Sequence, residues 1–480
     1  MVEAITLNGN TEHEDARVMR RRSFLAGSAT AAACLGMPEM GIATAATSDN
    51  HPAIRSSLTP ALPSPLTGEH AVLWSSPYPE RIYGASPGLT SLPNGTLIAT
   101  YDQTGGGVRK LASLRRDRWP WTGTIATSAD GGATWIERSR MPMHHARPFV
   151  SAKSIYVLGQ VGDLLIMGSH DGGETWSDPV QLTRDGVWSG APTSVVVHDG
   201  RIHLAMEHQA VASTRDEWPV SRLAPVVLSA SAYDDLLEPG AWSFSNKLTF
   251  ADALGETGPA HVIGSPFFKP GLTAPHNVGD RRMMEEPGWL ETNLVRIEDP
   301  DHIWFDPTGG TLHLLMRAHT GSTNMACVLK AVRSPGTNEM TVSLERAPSG
   351  NPMLYLPLPG GHLKFHIVHD PVGRLYWLAS NQSTDSMTRP EKLPQERYNL
   401  PNNERNRLVL HFSRNCVDWC FAGTIAKGED QRQARSYPSI AIHGDDLGVL
   451  ARSGDALSAS AHNGNLITYH TIPRFRDLSY

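Results

Sequence analysis

An arginine, a histidine and a tyrosine that meet at one point can remove the proton next to a carboxylate and expel the group beyond it. The guanidinium neutralises the acid, the imidazole takes the proton near neutral pH, and the phenol protonates the leaving oxygen. This chain carries those residue types at the heads and ends of apolar runs. His144-His145 leads into one such run, and Glu207-His208 ends another. Glu291 opens a third; Arg317 and His319 close its partner. Lys364-Phe365-His366 lies inside an apolar stretch, where a charge is expensive unless it is paired. Arg435 and Tyr437 begin a further run and Arg452 ends the next. His145, with His144, is the candidate base; Tyr437 or a second histidine such as His208 is the candidate acid. Arg317, Arg435 and Arg452 are the candidates for the carboxylate. Lys364, His366, His319, Glu207 and Glu291 complete the polar set that could touch a substrate. Hydrolysis would instead use a pair of carboxyl groups, and Glu207 and Glu291 are the best placed for that.

These residues need elements that bring them together. Ser128-Ala129-Asp130-Gly131-Gly132-Ala133-Thr134-Trp135 and Ser169-His170-Asp171-Gly172-Gly173-Glu174-Thr175-Trp176 share the pattern S-x-D-G-G-x-T-W. Asp binds local N–H groups, Gly accepts positive φ, and Trp plugs the turn into a core. Ser413-Arg414-Asn415-Cys416-Val417-Asp418-Trp419 is a worn third copy. The pattern resembles the Asp-box of the sialidase-like repeat family, which implies an all-β fold, a β-propeller, with the boxes as structural turns on its rim. From about His70 onward, strands and turns follow one another with no useful helical period. The turns divide them into six blades. The sixth lacks its outer strand, and His70–Ser76 is a spare strand that would close the ring and cover the exposed edge. Lys247–Glu286 is long and unassigned; it hides a seventh blade or forms an insertion over the mouth. In such a ring the innermost strands point their ends into one central cavity, where the polar residues above would gather.

Composition agrees. The chain has 43 glycines and 35 prolines, which suits short strands and turns, and a net charge of −6 with both signs interspersed. Nothing points to nucleic acid or a membrane surface as partner, and no segment past the N-terminus is long and apolar enough to span a bilayer. Arg20-Arg21-Arg22-Ser23-Phe24-Leu25, a mildly apolar stretch and Ala43-Thr44-Ala45 resemble a twin-arginine export signal. The expected layout is a signal peptide over 1–46, a Pro- and Ser-rich linker over 47–69 and one propeller domain over 70–480, in a periplasmic or secreted monomer. Cys34 sits in a poor lipoprotein box. Cys327, Cys416 and Cys420 are an odd set without C-x-x-C, which argues against a disulfide framework or a zinc site.

A narrower resemblance rests on His144-His145-Ala146, Tyr156-Val157-Leu158-Gly159, Arg317-Ala318-His319-Thr320-Gly321, Pro359-Gly360-Gly361-His362-Leu363-Lys364-Phe365-His366 and Ala461-His462-Asn463. These stretches resemble the exo-acting rhamnose–glucuronate lyases and sister rhamnosidases of arabinogalactan-type glycans. That likeness implies a polysaccharide substrate, a histidine in the pocket, seven blades and a calcium ion near the axis. Sialidases bind a carboxylate with three arginines, the first in an R-I-P motif on the first inner strand. Here the matching stretch is Gly84-Ala85-Ser86-Pro87, with Arg81 displaced, so sialic acid is not the expected substrate. Three functions fit: a lyase with His145 as base, a sialidase-like glycosidase, and a glycan-binding propeller without catalysis. The export reading has its own test. Changing Arg21→Lys together with Arg22→Lys should block translocation, because lysine lacks the planar guanidinium fork; cell fractionation of the double variant reads this out.

Overall fold

The computed structural model describes residues 64–108, 121–152, 154–210, 219–257, 276–278, 282–284, 287–337, 339–397 and 400–480. Six small antiparallel sheets follow in chain order, each one a propeller blade. Blade 1 comprises Tyr83–Ser91, Leu97–Thr104, Thr122–Ser128 and Ile136–Met141. Blade 2 comprises His144–Ser151, Ser154–Val161, Asp163–Ser169 and Val180–Gln181. Blade 3 runs from Trp188–Ser189 through Arg201–Gln209 and Leu223–Ser231 to Ser243–Phe244, with Val196–His198 also paired to its second strand. Blade 4 uses Gly288–Val295, Thr311–His319, Met325–Arg333 and Met340–Ser343, and blade 5 uses His366–Asp370, Leu375–Asn381, Arg407–Ser413 and Cys420–Lys427. Blade 6 has Arg435–His443, Asp446–Ser453 and Leu466–Ile472 from the end of the chain. Its outer strand is Ala71–Ser75, paired antiparallel so that Ala71 faces Tyr469 and Ser75 faces Leu466. The count is six, as the turns indicate, and not the seven that the narrower resemblance implies.

The apolar core is divided among the six seams between blades. Ile98, Ile125 and Met141 of blade 1 meet Ile155, Val157 and Met167 of blade 2. Tyr156, Leu164 and Ile166 then meet Ile202, Leu204 and Leu228 of blade 3. Leu89, Leu97 and Tyr101 close the circle against Leu450, Ile467 and Tyr469 of blade 6. Middle strands are thus buried on both faces, so their sequences read as continuous apolar runs.

The two full boxes join the third and fourth strands of blades 1 and 2. In the first, Gly132 N donates to Ser128 Oγ at 2.9 Å and Thr134 N to Asp130 Oδ1 at 2.9 Å, while Trp135 Nε1 donates to Gly132 O at 3.0 Å. A Cβ on Gly132 would lie 2.0 Å from the Tyr469 ring, so the turn needs glycine to dock on blade 6. The second box packs Gly173 against Ile98 of blade 1 in the same way. In the worn copy Cys416 takes the left-handed position, with φ of 60°. One feature departs from the strand-only reading. Phe250–Thr257 is an α-helix, with Asp252 N and Thr249 Oγ1 3.2 Å apart at its start and Phe250 against Trp289. Eight residues are too few to show a helical period. Parts of 247–286 lie outside the described residues, as does the whole export segment. No helix among the described residues is long and apolar enough to cross a membrane. Cys327, Cys416 and Cys420 are free thiols.

Side chains stitch each inner strand to the next blade. Thr100 Oγ1 donates to Ala146 O at 2.6 Å, and Arg147 donates to Ala205 O at 2.9 Å and Thr193 Oγ1 at 2.8 Å. Thr193 Oγ1 continues to Thr292 O at 2.5 Å. Asn293 donates to Phe365 O at 3.2 Å and accepts from Ile367 N at 3.0 Å. Ile440 N donates to His366 Nδ1 at 2.9 Å, and Leu89 N to Ser439 Oγ at 3.0 Å. The circuit covers all six seams. Replacing Asn293→Ala leaves a buried carbonyl and a buried N–H unpaired at one seam. It should cost about 2–3 kcal/mol, read as a lower urea midpoint.

Candidate active site at the axis

Four of the six inner strands carry the same irregularity. Their pairing slips between Ala85 and Gly88, His144 and Arg147, Leu290 and Asn293, and Ser436 and Ser439. Inside each slip a residue other than glycine adopts the left-handed conformation: Ser86 at φ 44°, His145 at 54°, Glu291 at 61° and Tyr437 at 53°. Such residues are rare and cost on the order of 1 kcal/mol or more each. A bulge re-aims a side chain that a regular strand would point elsewhere. Three of the four belong to the set with chemistry.

Tyr437 is the centre of the arrangement. Arg317 Nη1 lies 3.4 Å from the Tyr437 hydroxyl and 3.4 Å from Glu291 Oε2, and its Nε donates to His362 O at 2.9 Å. The Arg452 guanidinium covers the Tyr437 ring at 4.0 Å, and the Arg405 guanidinium is 5.6 Å from the same ring. Arg317, Arg405 and Arg452 are 4 %, 3 % and 4 % exposed. Burial weighs against the charge of Arg317, yet Glu291 and Tyr437 hold it above its ordinary pKa. Burial, and then Arg452, pull Arg405 down to about 9. Burial lowers Arg452 as well. Arg452 Nε and Nη2 and Arg405 Nη1 are buried without a hydrogen-bond partner in the protein. Three guanidiniums around one phenol, with one carboxylate among them, make a site short of negative charge.

Arg405 comes from the connection between the second and third strands of blade 5, residues 382–406. The connection is held by charge. Arg397, fully buried, pairs with Asp385 and lies 3.3 Å from Glu404 Oε2; Glu404 also accepts from Thr384 N at 2.8 Å and Arg407 at 3.0 Å. Asn403 Oδ1 then accepts from Arg405 Nε at 2.6 Å and aims it.

His145 stands on the other side of Arg452. Its ring Nδ1 is 3.0 Å from Gln160 Nε2, and its backbone N donates to Asp102 Oδ2 at 2.9 Å. Burial, then Arg452, lower it to about 4, so the ring is neutral at pH 7. Trp121 packs against both histidines, 4.9 Å from the His144 ring and 5.7 Å from that of His145.

Of the residues singled out by type, the structure gathers His145, Glu291, Arg317, Tyr437 and Arg452, with His144 beside His145. The others have separate surroundings. Arg435 donates to Ala434 O at 2.8 Å and Gly454 O at 2.6 Å. His208 lies against Trp188 and 3.5 Å from Lys247 Nζ. His319 is buried at the end of the second strand of blade 4. Lys364, His366 and Glu207 reach across seams to backbone groups of blades 6 and 4. Arg405 and Trp121 were not singled out: each borders a stretch without strand periodicity, and only the N-N-E-R-N-R run around Arg405 hints at a polar, ordered loop. A calcium ion takes six to eight oxygen ligands, several of them carboxylates. Among the described residues no three His, Cys, Asp or Glu could hold a metal, and Arg147, Lys364 and His366 crowd the axis, so these residues do not fit the ion. The opposite ends of the inner strands enclose an axial cavity of about 620 Å³, lined by Ser91, Val150, Val195, Arg296, His369 and Ile442.

No family model matches the sequence, and no curated protein matches it. Among solved structures the chain is similar to the Hadza microbial sialidase Hz136, at 16 % identity and a TM-score of 0.46, over 82 % of this chain and 66 % of that one. It is also similar to the Penicillium chrysogenum α-L-arabinanase, at 13 % identity and 0.45, over 86 % and 99 %. Trypanosoma rangeli sialidase gives 12 % and 0.46, over 85 % and 60 %. The chain thus spans less than two thirds of each sialidase.

The geometry around His145 has a measurable consequence. Its imidazole should titrate near pH 4 by NMR, and the midpoint should rise toward the ordinary 6.5 in Arg452→Met, because one of the two lowering influences is gone. The sign carries over to stability: a histidine held neutral binds fewer protons folded than unfolded. Stability is therefore lost as pH falls from about 6.5 toward 4.

Proposed function

We propose that this protein is a glycan-cleaving enzyme that acts on a terminal sugar bearing a carboxylate, by hydrolysis through Tyr437. One observation carries the reading: three buried guanidiniums converge on Tyr437, and those of Arg405 and Arg452 have N–H groups without a partner in the protein. Buried cations of this kind are costly, and a planar carboxylate is the group that a guanidinium fork matches. With the acid held by Arg317, Arg405 and Arg452, the Tyr437 oxygen attacks the anomeric carbon as the bond from that carbon to the aglycone oxygen breaks. Glu291, beside the same Arg317 nitrogen, receives the phenol proton, and the departing oxygen takes a proton from water. Tyrosine replaces the usual carboxylate nucleophile in some glycosidases. Negative charge that develops on the phenol oxygen is met by fixed guanidiniums, which cost no reorganisation during the reaction. The hydroxide left by that water then adds to the anomeric carbon, the bond to the Tyr437 oxygen breaks, and the phenolate recovers its proton from Glu291. Likeness of fold to a sialidase and an arabinanase agrees with a glycan substrate and carries no more than that.

A second reading is the eliminating lyase, favoured by one specific observation: His145 is neutral at pH 7 and flanks Arg452. In that reaction a glucuronate carboxylate is held by the arginines, His145 takes the C5 proton and Tyr437 protonates the departing rhamnose oxygen. In either case the resemblance of residues 20–45 to a twin-arginine signal supports work in the periplasm or outside the cell.

A panel of 4-methylumbelliferyl glycosides of acidic sugars, together with rhamnosyl–glucuronate oligosaccharides, separates the two. Hydrolysis releases the fluorophore and adds no absorbance near ~235 nm; elimination creates a conjugated double bond that absorbs there. Under hydrolysis Tyr437→Phe should lose about 10³-fold or more in kcat, as removal of a nucleophile does, while His145→Ala keeps most activity. Elimination reverses the ranking, with a loss of about 10²–10⁴-fold in His145→Ala. In both, Arg317→Ala raises KM, since the carboxylate is already charged in the ground state. Release of no sugar from any substrate would leave a binding propeller and refute catalysis.

A further inference from the structure

Three buried ionisable side chains border the Tyr437 cluster: Asp102, Glu207 and Lys364, at 0 %, 1 % and 0 % exposure. They come from blades 1, 3 and 5. Each reaches over a seam to the backbone of the next blade, at the bulge there. Asp102 Oδ2 accepts from His145 N at 2.9 Å. Glu207 Oε1 accepts from Thr292 N at 2.9 Å and Thr292 Oγ1 at 2.7 Å, on the residue after Glu291. Lys364 Nζ donates to Pro438 O, on the residue after Tyr437. So blades 2, 4 and 6 present the left-handed residues with chemistry, and blades 1, 3 and 5 hold the peptides that carry them.

We propose that Asp102, Glu207 and Lys364 are positioning residues that fix the left-handed turns presenting His145, Glu291 and Tyr437 to the substrate, an assignment that rests on the catalytic reading above. Local sterics do not favour a non-glycine residue at positive φ, so something must hold it there. A charge-assisted hydrogen bond to the peptide is about twice as strong as a neutral one. Elsewhere in the circuit Asn293 and Ser439 join stretches of inner strand with neutral groups. Room has been left for the holding group: at Gly190, φ 134°, a Cβ would lie 2.6 Å from Glu207 Oε2. Burial has its price in the same residues, holding Asp102 well above the usual carboxylate range and pushing Glu207 up to about 7 and Lys364 down to about 7.

The test uses the full chain and whichever 4-methylumbelliferyl glycoside the wild type cleaves. Lys364→Met keeps the shape and removes the donor. It should lower kcat about 10- to 100-fold, the cost of misplacing a reacting group by about 1 Å, with KM within twofold because the arginines are untouched. Glu207→Gln keeps an acceptor for Thr292 and should retain kcat within a few-fold, while Glu207→Ala loses it like Lys364→Met; rescue by the amide separates aim from bulk stability. Equal losses in the two Glu207 variants, a change in KM alone, or full activity in Lys364→Met would overturn the proposal. A readout free of turnover covers folded but inactive protein. In Asp102→Ala the His145 imidazole should leave its midpoint near 4 and move toward 6.5, and in Asp102→Asn it should stay. An unmoved midpoint in Asp102→Ala overturns the positioning role even where the glycosidase reading holds. A wild type that cleaves no substrate refutes that reading instead, and the imidazole measurement still decides this one.

Discussion

The closed circuit of side-chain hydrogen bonds around the axis is the constraint on which the rest depends. A propeller blade packs only against its two neighbours, and apolar seams are not directional: six layers of Leu, Ile and Val would tolerate sliding. Thr100, Arg147, Thr193, Asn293, His366 and Ser439 remove that freedom, because each bonds a particular backbone group of the next inner strand. Buried backbone groups that would otherwise lack partners supply the penalty for a wrong register.

That rigidity is what holds the arginine cluster together. Three guanidiniums close to one another repel, and a left-handed tyrosine would relax if its strand could move. Arg317 is held by His362 O, Arg405 by Asn403, and the Tyr437 turn by Lys364. The scaffold absorbs both costs, strain and crowded charge, and leaves guanidinium edges of Arg405 and Arg452 without a partner in the protein. An anion bound among these guanidiniums would return part of that cost as stability.

Much of the fold was legible in the sequence, because its signals are local. The D-G-G turns read directly as strand connections, and Ala71–Ser75 showed itself as a strand with no partner nearby, in a chain whose last blade was short by one. The site was legible by residue type only. Tyr437, Glu291, Arg317 and Arg452 stand at strand positions that a propeller turns inward, and there periodicity helps. Arg405 was not visible, since its aim depends on the packing of Asn403, Arg397 and Glu404 in a connection with no period. Lys364 and His366 look like ligand-binding residues in sequence, as any charged group in an apolar run does; their partners, Pro438 O and Ile440 N, lie more than seventy residues away. The bulges were also invisible, because nothing in S-Y-P or L-E-T marks positive φ without the neighbouring blade.

The strand Ala71–Ser75 has a consequence for the order of events in the cell. It pairs with Leu466–Ile472, so blade 6 joins segments about 400 residues apart and cannot close until the second of them has been made. During translation the earlier blades can stack one on the next, but the ring stays open, and its first strand waits as an unpaired edge. Closing so long a loop is slow, and slow closure exposes edges to other chains. A ribosome stalled anywhere before blade 6 therefore releases an arc with two sticky ends, whatever the quality of the blades already made. Linking Leu466–Ile472 directly to Ala71–Ser75 and opening the ring at an exposed connection elsewhere would give a protein whose every blade is built from consecutive residues. Such a permuted chain should assemble faster and aggregate less while reaching the same ring.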